Sequence, residues 1–214
     1  MKTDPKNFIL ANTDLMRPPH VPEVQLHLAS EAHELWLKTE DELQEIGLPP
    51  PFWAFAWAGG QGLARYVLDH RELVTGKRVL DFATGSGLVA IAAMKAGAVY
   101  VLAADIDPWV ETAVSLNAAA NGVEIAFVRD NLIGESVEAD VILAGDVFYD
   151  RDFAAALTPW FRQLSADGKL VLAGDPGRSY LPKDSLIALA TYEVPVTRAL
   201  EDSEIKRTTV WQFA

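Results

Sequence analysis

The 214 residues include no cysteine, which excludes disulfides, thiolate nucleophiles and cysteine-ligated zinc. No run of about 18 apolar residues occurs, so no transmembrane helix is expected. The opening MKTDPKNFIL lacks the basic-then-apolar layout of a signal peptide and is too short of arginine and serine for a transit peptide. A soluble, cytoplasmic protein is the simplest expectation. Basic residues are also few: 18 Lys and Arg stand against 30 Asp and Glu, a net charge of −12. The acids are spread rather than blocked, which disfavours binding to a phosphate backbone. The charge suits a basic or lysine-presenting protein partner through steering, or serves solubility alone. His20, His27 and His33 lack metal-ligand company in any one helical register and read as structural, so no metal site is expected. There are no internal repeats or low-complexity segments, and 50% apolar content supports one domain with a small N-terminal addition.

The stretch that organises the chain is Arg78-Val79-Leu80-Asp81-Phe82-Ala83-Thr84-Gly85-Ser86-Gly87. Val79 to Phe82 reads as a buried strand, and Leu88 to Ala96 as a helix closed by Gly97. A strand, a glycine turn and a helix N-terminus let backbone approach a ligand closely. A second strand, Val99 to Ala104, ends in Asp105, about 20 residues on, where a carboxylate can take two ribose hydroxyls. Gly85, Gly87 and Ala90 match the G-x-G-x-x-G/A pattern of dinucleotide enzymes, a weak signal alone. Asp81, four residues before Gly85, shifts the balance. A carboxylate at the strand tip repels a pyrophosphate and suits a cation such as an amino acid's α-ammonium. A ligand with both a ribose and an amino-acid end is S-adenosylmethionine, which favours a methyltransferase over a dehydrogenase.

Asp4-Pro5 marks a helix start with proline at its first position, predicting a helix to about Asn12. Pro18, Pro19 and Pro22 then break the chain. Val24, Leu26 and Leu28 alternate with polar residues and predict a half-buried strand or extended arm. Ser30 to Gly47 reads as part helix, part connection, so residues 1–48 form an N-terminal arm and 49–214 the main domain. After Pro49-Pro50-Pro51 come four aromatic residues between Phe52 and Trp57, followed by Gly59-Gly60. This run is either a hydrophobic plug or a wall for a flat adenine or a substrate channel. Gly62 to His70 is predicted helical.

Pro108 opens a helix over Trp109 to Ala120 that stops at Asn121-Gly122. Val123 to Val128 is the third strand, with Asp130 and Asn131 at its tip, placed to read an adenine amino group or to sit in a solvated loop. Asp140 to Gly145 is the fourth strand, expected beside the first at the topological switch point, where ligands sit. Asp146 and Tyr149, three apart, face the same way on a turn or a first helical turn. A helix (Phe153 to Leu164), a strand (Lys169 to Ala173), the tight loop Gly174 to Arg178 and a second helix (Ser185 to Ala190) follow. Tyr192 to Thr197 and Arg207 to Phe213 alternate about the polar turn Glu201-Asp202-Ser203, a hairpin signal. The predicted fold is α/β: a doubly wound, mostly parallel seven-stranded sheet with a C-terminal antiparallel hairpin and an N-terminal arm.

The runs PFWAFAWAGGQGLARYVLD, DFATGSG, DIDP, GDVFYD, GDPGR and TTVWQF, in order from Pro49 to Phe213, together resemble the electron transfer flavoprotein β-subunit lysine methyltransferases. These are seven-β-strand protein-lysine methyltransferases. The central GSGLVAIAAMKAGA…DIDP…LNAAANGV is also similar to the ribosomal-protein lysine methyltransferases. The resemblance implies a Rossmann-like class I enzyme that uses S-adenosylmethionine and leaves S-adenosylhomocysteine as product. Its implied substrate is a lysine of the electron transfer flavoprotein β subunit, with a ribosomal protein or a small amine as the alternative. It also implies that Trp57 lies near the cofactor and that Asp81, Gly85 and Gly87 hold its methionine part. Asp105 would take the ribose, with Ile106 beside it as a further contact; Asp130 or Asn131 would reach the adenine, and Gly145 would line the floor. Asp146 and Tyr149, the D-x-x-Y element, would hold the target lysine. Ala83-Thr84 departs from the Gly-Ser or Gly-Cys of many relatives but leaves both cofactor glycines intact. A monomer with no nucleic-acid or membrane partner is expected.

Overall fold

A computed structural model of the protein describes residues 4–30, 50–196 and 204–214. The predicted part-helical segment up to Gly47, with His33, and the predicted turn at 201–203 lie outside the described residues, Ser30 excepted.

Seven strands form one sheet: β3 (Arg78–Phe82), β4 (Tyr100–Ala104), β5 (Ala126–Val128), β6 (Val141–Gly145), β7 (Leu170–Asp175), β8 (Leu186–Pro195) and β9 (Ile205–Phe213). Their spatial order is β5-β4-β3-β6-β7-β9-β8. The first five are mutually parallel, while β9 pairs antiparallel with both β7 and β8. Val141, Ile142, Leu143 and Ala144 are all fully buried. Such an unbroken apolar run, rather than an alternating one, suits a strand with both faces covered. On one face pack α2 (Ala58–Asp69), α3 (Leu88–Lys95) and α4 (Val110–Ala120), around Leu63, Val67, Val89 and Ile91. The other face is closed by α5 (Arg151–Ala166), whose Leu157, Trp160 and Phe161 meet Phe82 and Phe213. No helix among the described residues is long and apolar enough to cross a membrane.

The N-terminal helix α1 (Pro5–Asn12) begins at its proline as predicted, and β2 (Leu26–Leu28) pairs antiparallel with β1 (Asp14–Met16). Two asparagines four residues apart, Asn117 on α4 and Asn121 capping its C-terminus, hold this hairpin. Asn117 accepts the His27 amide at 2.7 Å and donates to the Ser86 carbonyl at 2.8 Å. Asn121 accepts the Gln25 amide at 3.0 Å and donates back to the Gln25 carbonyl at 2.6 Å. The arm is thereby tied to the helix that follows the second strand tip of the site.

Two expectations need correction. Ser185 to Ala190 is not helical; a short turn at Lys183–Ser185 leads straight into β8. Its leucines and alanines favour a helix locally, but residues 186–195 find a partner along β9, and tertiary pairing overrides propensity. The other concerns Gly59 and Gly60, which lie inside the first turn of α2 rather than in a loop before it. The tips of β6 and β7 explain why. A Cβ on Gly145 would lie 2.7 Å from the Cα of Gly60, and one on Gly174 would run into the carbonyl of Gly59. Four glycines let a helix N-terminus rest directly on two strand ends.

Candidate active site

From β3 the chain order runs outward through β4 and β5 on one side and through β6 and β7 on the other. The crevice at this switch point is where open α/β sheets bind ligands. Here it is a cavity of about 850 Å³, within the ~300–1,000 Å³ of small-molecule sites. Its wall includes Trp57, Asp81, Gly85, Asp105, Ile106, Asp130, Asn131, Gly145, Asp146 and Tyr149. Of the residues expected from the sequence to hold the cofactor or the target lysine, Gly87 alone lies outside that wall. It precedes α3 at φ 79°, and a Cβ there would stand 3.3 Å from Val114, so it serves the turn.

At the end of β3 the Asp81 carboxylate is 1% exposed. Its Oδ2 accepts from the Thr84 hydroxyl at 2.5 Å and from the Ala90 amide in the first turn of α3 at 2.9 Å. Burial pushes this carboxyl up to about 7; the two hydrogen bonds oppose the rise and nearby Asp105 adds to it. A carboxylate so poised gains most from a cation. The following turn is left-handed at Ala83 and Gly85 (φ 53° each). It brings the Gly85 amide to Asp105 Oδ2 at 3.1 Å, while Asp105 Oδ1 accepts the Asp107 amide at 3.1 Å. Asp105 is likewise raised, chiefly by burial. Asp130 and Asn131 are exposed at the rim.

The aromatic run divides between the two roles considered for it. Trp53 is buried and stacks on Trp109 at 6.5 Å, which makes it the plug. Phe52, Phe55 and Trp57 face the cavity, and the Trp57 indole donates to the Phe52 carbonyl at 3.0 Å. The Phe52 ring lies 5.8 Å from Trp57 and 5.9 Å from Tyr149, and Tyr149 lies 6.0 Å from Phe153. These rings make a continuous apolar wall that Tyr149, 53% exposed, carries to the surface.

Asp146, at the end of β6, is 7% exposed and held at φ 59°. The Gly59 amide, at the N-terminus of α2, donates to its Oδ2, a favourable place for an anion. Arg178 Nε donates to Oδ1 at 2.8 Å. Burial pushes the Asp146 carboxyl up to about 6; Arg178 and the Gly59 amide oppose this, and Asp175 adds to it. Arg178 closes the GDPGR run, and nothing in its local sequence gives it a role. Adjacency of β6 and β7 is the signal that could have found it, because it sets the two strand tips side by side. None of the described histidines lines the cavity, and among the described residues no three His, Asp or Glu side chains gather as a metal site.

The family model of ribosomal protein L11 methyltransferase (PrmA) matches residues 63–148. Electron transfer flavoprotein beta subunit lysine methyltransferase of Xenopus laevis is 38% identical over 218 residues, covering 99% of this chain and 87% of that one. Ribosomal protein L11 methylase from Lactobacillus delbrueckii subsp. bulgaricus has a similar structure, with a TM-score of 0.51 and 26% identity over 74% of this chain and 80% of its own. Magnesium protoporphyrin IX methyltransferase from Synechocystis PCC 6803, solved with S-adenosylmethionine bound, shares the fold at a TM-score of 0.52 and 15% identity, over 72% of this chain and 78% of its own. The ribosomal model stops at Phe148, before the Arg178 loop and the terminal hairpin. The Xenopus likeness runs the whole length, so the chain belongs to the electron transfer flavoprotein β-subunit lysine methyltransferase family.

Proposed function

We propose that the protein transfers methyl groups from S-adenosylmethionine to lysine side chains of the electron transfer flavoprotein β subunit. The observation that carries this reading is that one cavity holds both a buried cation-and-ribose end, Asp81 and Asp105, and an aromatic channel ending at Asp146. The donor set fits S-adenosylmethionine. Asp81 suits the α-ammonium and Asp105 the ribose hydroxyls. The rim amide and carboxylate of Asn131 and Asp130 suit the adenine, and Trp57 and Gly145 suit the methionine side and floor.

When bound, S-adenosylmethionine supplies a methyl already activated on a sulfonium, which leaves as S-adenosylhomocysteine when an amine lone pair takes the carbon. The protein's part is then to bring the amine into line, and proximity and orientation can contribute about 7–11 kcal/mol. Tyr149, Phe52 and Trp57 wall the aliphatic stem of the incoming lysine. Asp146 accepts an N–H from its nitrogen and aims the lone pair. With none of the described histidines in the cavity, a lysine that arrives as the ammonium loses its proton to water. The net charge of −12 favours the approach of a lysine-presenting surface.

The test is mass spectrometry of purified electron transfer flavoprotein after incubation with the protein and S-adenosylmethionine, with Asp146→Ala alongside. Methyl gains on β-subunit lysines with wild type only, and retained S-adenosylmethionine binding in the variant, are the expected result. No gain with the wild type while S-adenosylmethionine still binds would move the activity to another substrate.

A further inference from the structure

The loop after β7 aims a cation at the target end of the cavity. Asp175 Oδ1 accepts the amides of Gly177 at 2.6 Å and Arg178 at 2.7 Å, and Gly177 is left-handed at φ 95°. This Asp-Pro-Gly turn sends the Arg178 side chain back across the tip of β6, where Nε meets Asp146 Oδ1 at 2.8 Å. The side chains of Arg178 and Asp146 are only 24% and 7% exposed, and both border the cavity. Taking the site as the lysine pocket proposed above, we infer that Arg178 is a positioning residue. Its guanidinium offsets the Asp146 charge, so the pocket receives the target lysine as the neutral amine rather than the ammonium.

The chemistry requires this of some group. A lysine side chain in water is protonated up to about pH 10.4, and its nitrogen can attack only through a free lone pair. An uncompensated buried carboxylate would hold the ammonium and its proton, since an opposite charge within ~4–6 Å favours the charged form. A carboxylate already paired with a guanidinium exerts little such pull. It remains an acceptor: among the described residues each Asp146 oxygen has one donor, Gly59 N–H or Arg178 Nε–H, and each keeps a second lone pair for an amine N–H. Arginine suits the task because its guanidinium stays charged at any working pH and cannot itself take up the substrate's proton.

Among the described residues, the charges facing Asp146 come from few elements. Arg178 reaches it from the loop after β7, and Asp175 acts on it from the end of that strand. Lys183, farther along the same segment, acts with Arg178 on Asp175, so the second carboxylate has its own balance. From α2 only the Gly59 amide reaches it. Among the described residues, Tyr149 and Asp150, on the loop that follows β6, and Asp105, across the cavity, complete the titratable groups of the target end.

The experiment compares wild type, Arg178→Gln and Arg178→Lys. With protein substrate and saturating S-adenosylmethionine, the rising limb of kcat against pH moves at least one unit alkaline in Arg178→Gln. That is a loss of about tenfold at pH 7.5, recovered at high pH, and Arg178→Lys restores the wild-type limb. Binding of n-butylamine to the S-adenosylhomocysteine complex, followed by NMR, needs neither turnover nor a protein substrate. Wild-type affinity rises about tenfold per pH unit below pH 10, as the neutral fraction does, while Arg178→Gln, taking the ammonium, is flat. The same pH dependence in both proteins, or wild-type affinity that does not rise with pH, overturns the assignment. So does a fall in S-adenosylmethionine affinity that parallels the fall in rate, because Arg178 would then hold the fold. A wild type that methylates no protein sinks the lysine reading alone, and the butylamine series still decides the role of Arg178.

Discussion

Gly59 and Gly174 meet backbone to backbone: a Cβ on either would run into the carbonyl oxygen of the other. This contact seats the first turn of α2 on the tips of β6 and β7, and the same turn donates the Gly59 amide to Asp146. Gly174→Ala should therefore destabilise by overpacking, roughly 1–3 kcal/mol or more, and displace Asp146. Gly145→Ala meets the backbone of Gly60 at 2.7 Å and should behave alike. Gly60→Ala is the control, since among the described residues its added methyl meets only Leu88, at 4.0 Å, and alanine favours the helix. Urea unfolding of the three variants measures this, and equal midpoints for all would deny the close approach.

Asp81 links the cavity to pH. Burial, with a smaller push from Asp105, raises its folded carboxyl to about 7, and Asp146 is raised in the same sense to about 6. An unfolded aspartate titrates near 3.9. Folding therefore favours the protonated forms. Their contribution is full below about pH 4 and is lost as pH rises toward 7. The ligand-free protein should lose stability through that window, and Asp81→Asn should flatten much of the loss. An α-ammonium bound against Asp81 reverses the balance and ionises it, so S-adenosylmethionine binding at pH 7 should release roughly half a proton. Calorimetry in two buffers of different ionisation enthalpy reads that number; identical heats would remove Asp81 from the ammonium site.

The segment from Arg78 to Lys95 is readable in the sequence because its signals are local: an apolar run, two glycines, then a helix-forming run. Strand order follows from the alternation of such units, and with it the gathering of Asp81, Asp105 and Asp146 at one edge. What depends on distant partners is not readable in this way. Residues 186–190 look helical until β9 is laid beside them. β1 is wholly exposed and carries no burial pattern, and only its pairing with β2 makes it a strand. Arg178 is 32 residues from Asp146, so no local motif joins them. Gly59 and Gly60 read as lying before the helix because glycine is poor in helices; its value here is contact with strand tips, a tertiary fact.

Tyr149 should act on the protein substrate and not on the cofactor. Its ring lies against Phe52 and Phe153 at 5.9 and 6.0 Å and is 53% exposed at the mouth. Removing the ring takes away one wall of the channel, and aromatic contacts of this kind are worth about 0.5–1.5 kcal/mol beyond area. Tyr149→Ala should raise KM for the protein substrate about tenfold, and Tyr149→Phe, which keeps the wall, should change it little. S-adenosylmethionine affinity should be the same in both. A parallel loss of cofactor affinity would place Tyr149 on the other side of the cavity's division.

The N-terminal hairpin should respond to acid in the opposite sense to Asp81. His27 Nδ1 and His20 Nε2 are buried with no hydrogen-bond partner among the described residues, and burial lowers the pKa of both rings. A base whose folded pKa is depressed contributes stability above its unfolded value, about 6.5, and that contribution is lost as pH falls below it. Charging His27 also disturbs β2 where the His27 amide bonds to Asn117 on α4. Hydrogen exchange, corrected for intrinsic rate, should show residues 14–16 and 26–28 losing protection between pH 7.5 and 5.5 while β3 and β6 keep theirs. His27→Gln, which cannot charge, should retain most of the hairpin's protection at pH 5.5. Equal protection of the hairpin at both pH values in the wild type would mean that the buried nitrogens find water, and that the arm is held independently of its histidines.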